Sequence, residues 1–168
     1  MLNKQDVPPK QTYIRNFPKY FGLAVLMIAV NMGYASLVDL SSVKTVDIIG
    51  SVDINFLILV LPFSLLLEEI LTRGLIYRLT RGTLNNRVAY FCILYIMAMF
   101  HTILHYSNLV DPTVVTLLKY FSVQFVGGLF LGIVILKYGF KGSYTVHVLY
   151  DFILIFASIF LSNYIQVI

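Results

Sequence analysis

The chain reads as an all-α, polytopic membrane helix bundle, and three features carry that reading. It is 59% hydrophobic and 12% charged, where a soluble domain carries about a quarter charged residues. Its mean hydropathy is +0.85. Its apolar residues also gather into runs of about the 20 residues that a helix needs to cross the hydrocarbon core. A length of 168 residues leaves no room for a second domain once those runs are counted.

Five segments fit: Tyr20–Val38, Ile54–Ile76, Val88–His105, Val114–Leu136 and Tyr144–Ile168. The first follows a polar stretch and precedes no small-residue cleavage pattern, so it reads as a retained span, not a signal peptide. The second is the least regular. Asp53 and Asn55 crowd its start, Pro62 lies inside it where a kink could open a cavity, and Glu68 and Glu69 occupy its second half. The third holds the single cysteine, Cys92, which has no internal partner and reads as a small buried hydrophobe. The fourth contains Gly128 and Gly132, a small-xxx-small spacing that lets membrane helices approach closely. Short polar stretches rich in turn formers separate the spans: "DLSSVKTVD", "RGTLNNR", "YSNLVDPT" and "KYGFKGS".

The net charge of +4 does not point to nucleic acid, because its basic residues cluster at the ends of apolar segments. Lys4, Lys10, Arg15 and Lys19 precede the first span, Arg78, Arg81 and Arg87 follow the second, and Lys137 and Lys141 follow the fourth. The other two loops hold Asp39, Asp47 and Asp111 against Lys44. Five crossings place every basic loop on one side, so the amino terminus is expected in the cytoplasm and the carboxy terminus outside. Residues 1–19 then form a basic cytoplasmic segment and 20–38 a leading transmembrane helix.

Against this background the ionisable residues inside the spans stand out. Each costs about 2.5–3.5 kcal/mol at mid-helix, so each is expected to face other helices or a wet cavity. They are Glu68, Glu69, Arg73, His101, His105, His147 and Asp151. Glu69 and Arg73 are four apart, share a helix face and can pair. Glu68 points about 100° away, which leaves it free. His147 and Asp151 are also four apart, so the carboxylate can fix the imidazole tautomer. His101 lies roughly 20 Å along its helix from Val88 and His105 about 6 Å further, which favours His101 as the partner of Glu68 and His147, with His105 near the interface beside "YSN".

Three of these groups fall into motifs. "EEILTR" (Glu68 to Arg73) is an EExxxR motif, "MAMFH" (Met97 to His101) is similar to FxxxH, and "HVLYD" (His147 to Asp151) fits HxxxN/D. In this order on successive spans, they resemble the CPBP family of intramembrane proteases, which includes CAAX-type prenyl endopeptidases and bacteriocin self-immunity proteins of the Abi group. The resemblance covers roughly residues 65–152. The phenylalanine of the second motif is Met97 if His101 is the aligned histidine, and His101 itself if His105 is.

The resemblance implies a four-helix protease core over 48–168 and an endopeptidase of the bacterial plasma membrane that cuts a membrane-associated peptide or protein. It implies Glu68 as general base on a water, His101 holding that water, and His147, oriented by Asp151, stabilising the oxyanion, with Glu69 and Arg73 fixing the helix. Zn²⁺ is compatible with such a ligand set but not required by it, since Thr102 follows His101 and no HExxH is present. Two other functions fit the same residues: a non-catalytic immunity or interaction protein, and a proton-coupled carrier.

Overall fold

The computed structural model describes residues 10–44, 54–80, 82 and 86–165. Helix α1 spans Lys10–Val38 and so begins ahead of Tyr20, because hydropathy marks the apolar part of a helix and not its hydrogen-bonded end. It stops at Asp39, whose left-handed backbone (φ 52°) caps a 3₁₀ turn at Leu40–Ser42. The Ser41 hydroxyl and backbone N–H donate to the Asp39 carboxylate at 2.7 and 3.3 Å, which holds that carboxyl below its ordinary 3.8. Asp47 and Asp53 lie outside the described residues.

The second expected span is three pieces: α2 (Ile54–Glu69), a π-helical turn (Ile70–Gly74) and α3 (Leu75–Thr80). Pro62 sits inside α2, and its carbonyl accepts a hydrogen bond from the Tyr144 hydroxyl at 2.9 Å. Helix α4 (Arg87–Leu104) is capped by Asn86, whose side chain accepts from the N–H groups of Val88 and Ala89. His105 belongs to a 3₁₀ turn, His105–Asn108, and not to the helix.

The last helix, α5 (Val114–Ile165), replaces the expected "KYGFKGS" loop with one non-helical residue, Gly139 (φ 74°, ψ 178°). A side chain is strained at that φ, so glycine is what allows so abrupt a break. The chain folds back there. Ser143 donates to the Leu131 carbonyl at 3.1 Å, and Leu131, Val134 and Val146 share one buried cluster with Tyr20, Ala24 and Met27 of α1. Each arm of α5 has about 25 residues, or about 37 Å of helix.

Helix α4 packs against the first arm through the glycines. A Cβ on Gly128 would lie 2.9 Å from Ala98 Cα, and one on Gly132 would lie 2.6 Å from Leu94 Cδ1. Large apolar side chains such as Phe63, Leu71, Phe91 and Phe160 point outward, while Glu69, Arg73, His101 and His147 lie inside. That inversion is what a bilayer solvent demands. Cys92 corrects one expectation: it is exposed on α4, since its neighbours Ile93 and Leu94 take the inward positions. Among the described residues Arg15–Val38, Arg87–Asn108 and Val114–Phe160 are long and apolar enough to cross a membrane, and no strand occurs. The molecule is an all-α membrane helix bundle.

Candidate active site

The π turn sets the site. Leu75 N–H bonds to the Ile70 carbonyl, one residue further back than in an α-helix, and the Thr72 hydroxyl donates to the Glu68 carbonyl at 2.8 Å where the ladder shifts. Gly74 lets the turn approach α5: a Cβ there would lie 2.9 Å from Phe140 Cε2.

Both carboxylates just ahead of the turn reach inward. Glu69 is fully buried, as is Arg73. Arg73 Nε and Nη2 both donate to Glu69 Oε2, at 2.9 and 2.6 Å. This is the pair that the four-residue spacing predicts. Glu68 meets His101, the partner that depth along the helices favours, and also approaches Arg73, from which the helical wheel turns it away. Its Oε1 lies 2.8 Å from His101 Nδ1, 3.7 Å from Arg73 Nη2 and 3.8 Å from His147 Nε2. A 100° offset separates directions at the helix surface, but both side chains bend to the same polar interior when lipid is the alternative.

His147 is held from two sides. Its Nδ1 lies 3.2 Å from Arg73 Nη2 and 3.3 Å from Glu69 Oε2, and its Nε2 lies 3.4 Å from Asp151 Oδ2. A guanidinium nitrogen can only donate, and Glu69 Oε2 already accepts two bonds from Arg73. The arrangement therefore favours a lone pair on Nδ1 and the proton on Nε2, facing Asp151 and Glu68. The sequence pointed to Asp151 as the group that orients this ring. Arg73 and Glu69 reach it as well, and no spacing within one helix could have shown that.

His105 joins the cluster beside His101. Its ring centroid is 4.4 Å from that of His101, and its Nδ1–H donates to the His101 carbonyl at 3.0 Å, the only hydrogen-bonding role open to a carbonyl. Glu68, His101 and His105 each offer one ligand atom, all within 4.8 Å of one another.

Asn31 was not anticipated. It lies on α1, is 8% exposed, and its amide donates to the Tyr150 hydroxyl at 3.0 Å. Its signal was visible as a lone amide in "VLMIAVNMGY", which costs too much in lipid to be idle packing. A separate cavity of about 560 Å³ lies beside the π turn, lined by Ile70, Gly74, Leu75, Tyr77, Arg78 and Phe140, and shares no residue with the polar cluster.

A carboxylate joined to one imidazole, beside a second imidazole whose proton points toward it, can hold a water, take its proton and present a hydrogen-bond donor to a developing oxyanion. Residues 50–153 match the family described as type II CAAX prenyl endopeptidase Rce1-like. No curated protein and no solved structure matches the chain. The matched stretch carries Glu68, Glu69, Arg73, His101, His147 and Asp151 and covers more than half of the sequence: the chain belongs to the Rce1-like family of type II CAAX prenyl endopeptidases, a family of membrane-embedded proteases.

Proposed function

We propose that this protein hydrolyses a peptide bond of a membrane-associated peptide or protein, with water activated by Glu68. The observation that carries the reading is the 2.8 Å contact between Glu68 Oε1 and His101 Nδ1, with His147 Nε2 3.8 Å from the same oxygen. The substrate carbonyl enters beside these groups. Glu68 removes a proton from a water held by His101 as the water oxygen bonds to the carbonyl carbon. His147 Nε2–H donates to the resulting oxyanion. Asp151, an acceptor when ionised, cannot donate to that oxyanion; it lies 3.4 Å from the same Nε2, so this N–H turns from Asp151 to the oxyanion while Arg73 and Glu69 at Nδ1 hold the ring. The proton on Glu68 then passes to the departing nitrogen, the C–N bond breaks, and a carboxylic acid and an amine form, the acid's proton passing to the amine so that a carboxylate and an ammonium leave. Glu69 and Arg73 hold α2 and the His147 ring in register and stay out of the bond changes.

We assign the four-helix protease core to residues 48–168, with residues 20–38 as a leading transmembrane helix. The distribution of lysine and arginine supports an amino terminus in the cytoplasm and a carboxy terminus outside, and the family resemblance is what suggests a bacterial plasma membrane. By analogy with the self-immunity members of the family that its motifs resemble, the biological role we propose is bacteriocin self-immunity.

The test uses the purified full chain in proteoliposomes with a panel of membrane-anchored peptides, products being read by mass spectrometry. Wild type should generate new termini. Glu68→Gln should lower the rate about 10²–10⁴-fold, and His147→Ala about 10²–10³-fold. Equal cleavage by Glu68→Gln would rule the mechanism out.

A further inference from the structure

We infer that the cavity beside the π turn binds one anionic phospholipid, with the headgroup phosphate on Arg78 and an acyl chain along the aliphatic wall. The cavity holds about 560 Å³ and is lined by Ile70, Gly74, Leu75, Tyr77, Arg78 and Phe140. None of these residues takes part in the bond changes of the proposed hydrolysis. The inference therefore goes beyond that function and does not depend on it.

The lining is graded from apolar to polar. Ile70 and Gly74 belong to the π turn, Tyr77 and Arg78 to α3, so the wall runs roughly 12 Å along the helix from an isoleucine to a guanidinium. Gly74 presents no side chain, and Phe140 of α5 closes the opposite wall, where a Cβ on Gly74 would lie 2.9 Å from Phe140 Cε2. Phe140 is itself stacked on Tyr144, with ring centroids 6.4 Å apart and 7° between the planes. Ile70 and Leu75 are exposed on the outer surface of the bundle. The cavity is thus reached from the bilayer, and not through the polar cluster.

Charge decides the occupant. Among the described residues the Arg78 guanidinium has no acceptor and the Tyr77 hydroxyl no partner. No Asp or Glu occurs from Ile70 to Val110 or from Pro112 to Tyr150, so neither wall brings a carboxylate. Lys137 and Lys141 flank Phe140 in sequence and are exposed. A guanidinium grips two phosphate oxygens at once, and a phenol beside it can donate to a third. Basic pockets between membrane helices hold anionic headgroups by this chemistry. A zwitterionic headgroup would bring its own cation toward Arg78. Free phosphate would leave the faces of Ile70, Leu75 and Phe140 uncovered. An anionic phospholipid satisfies both ends of the cavity.

The experiment titrates the purified full chain in dodecylmaltoside micelles with dioleoylphosphatidylglycerol, dioleoylphosphatidylcholine or sodium phosphate. Native mass spectrometry counts bound lipid, and circular dichroism reads the melting temperature. Wild type should hold one phosphatidylglycerol per chain and melt at a higher temperature as the site fills. Phosphatidylcholine and inorganic phosphate should each bind about tenfold or more weakly. Arg78→Gln should weaken phosphatidylglycerol binding by about tenfold or more. Arg87→Gln removes an exposed charge at the same end of the bundle, outside the cavity lining, and should leave binding unchanged. Circular dichroism without lipid checks that both variants keep their helix content. Phosphatidylglycerol bound no tighter than phosphatidylcholine by wild type overturns the inference, whatever the variants do. So does binding unchanged in folded Arg78→Gln. An equal loss in Arg87→Gln overturns it too, since the lipid would then answer surface charge as a whole. Inorganic phosphate bound as tightly as the lipid would leave the acyl chain no role and overturn it likewise.

Discussion

Replacing Arg73 by methionine isolates the buried ion pair. Methionine keeps much of the length and apolar bulk of the side chain but leaves Glu69, fully buried, without its two bonds of 2.6 and 2.9 Å. Removing one partner of a buried pair costs about 3–5 kcal/mol, because the remaining charge stays out of water. The pair spans i to i+4 and so survives on an isolated helix. What is lost on substitution is therefore the compensation of a buried charge, plus the contact to His147 at 3.2 Å. Interhelical hydrogen bonds in membrane proteins average only about 0.6 kcal/mol, so the uncompensated carboxylate dominates.

The folding constant should fall about 150- to 5,000-fold. Denaturation in mixed dodecylmaltoside–SDS micelles, followed by circular dichroism, reads this directly. The double variant Glu69→Gln with Arg73→Met should recover part of the loss, giving a coupling of about 1–3 kcal/mol. A loss under about 1 kcal/mol for Arg73→Met with no coupling would refute the reasoning, since Glu69 would then carry no buried charge.

Two further outcomes follow from the geometry and a third from the proposed function. Gly128→Ala should cost about 1–3 kcal/mol, since its Cβ would press on Ala98 Cα and on His101 Cδ2 at 3.0 Å, whereas Gly22→Ala meets nothing within 4 Å and should gain about 0.5–1 kcal/mol in the same micelle assay. Asn31→Leu should lose about 1–3 kcal/mol by stranding the Tyr150 hydroxyl, and adding Tyr150→Phe should restore most of it; a double variant no better than the single one would contradict the pairing. Cells producing wild type at a membrane level matched to Glu68→Gln and His147→Ala should survive a bacteriocin challenge that kills both variants; survival of all three would make the motifs a scaffold for binding.

Helix content and the inward residues were legible because a bilayer makes each ionisable side chain expensive, so Glu68, Glu69, Arg73, His101, His147 and Asp151 had few places to go. Pairing within one helix was legible for Glu69 and Arg73, since four residues nearly close a turn. The π turn was not, because Ile70–Gly74 has no residue pattern that separates i+5 from i+4 bonding. Partnership across helices was legible as a shared depth, which joined His101 to Glu68 and His147, whereas the exact place of Glu68 between the two rings depends on how α2, α4 and α5 rotate against one another. Gly139 read as part of a polar loop, whereas one glycine with positive φ turns the chain between two long helical arms.

The central claim is that water, activated by Glu68, attacks the substrate carbonyl. Single-turnover cleavage of a membrane-anchored peptide in H₂¹⁸O, with enzyme in excess, tests it most directly. Attack by water places ¹⁸O in the new peptide carboxylate during the first turnover, and Glu68→Gln forms no product on the same timescale. Product from the first turnover that carries only ¹⁶O at that carboxylate would mean that the enzyme's own carboxylate attacked, and would contradict the account.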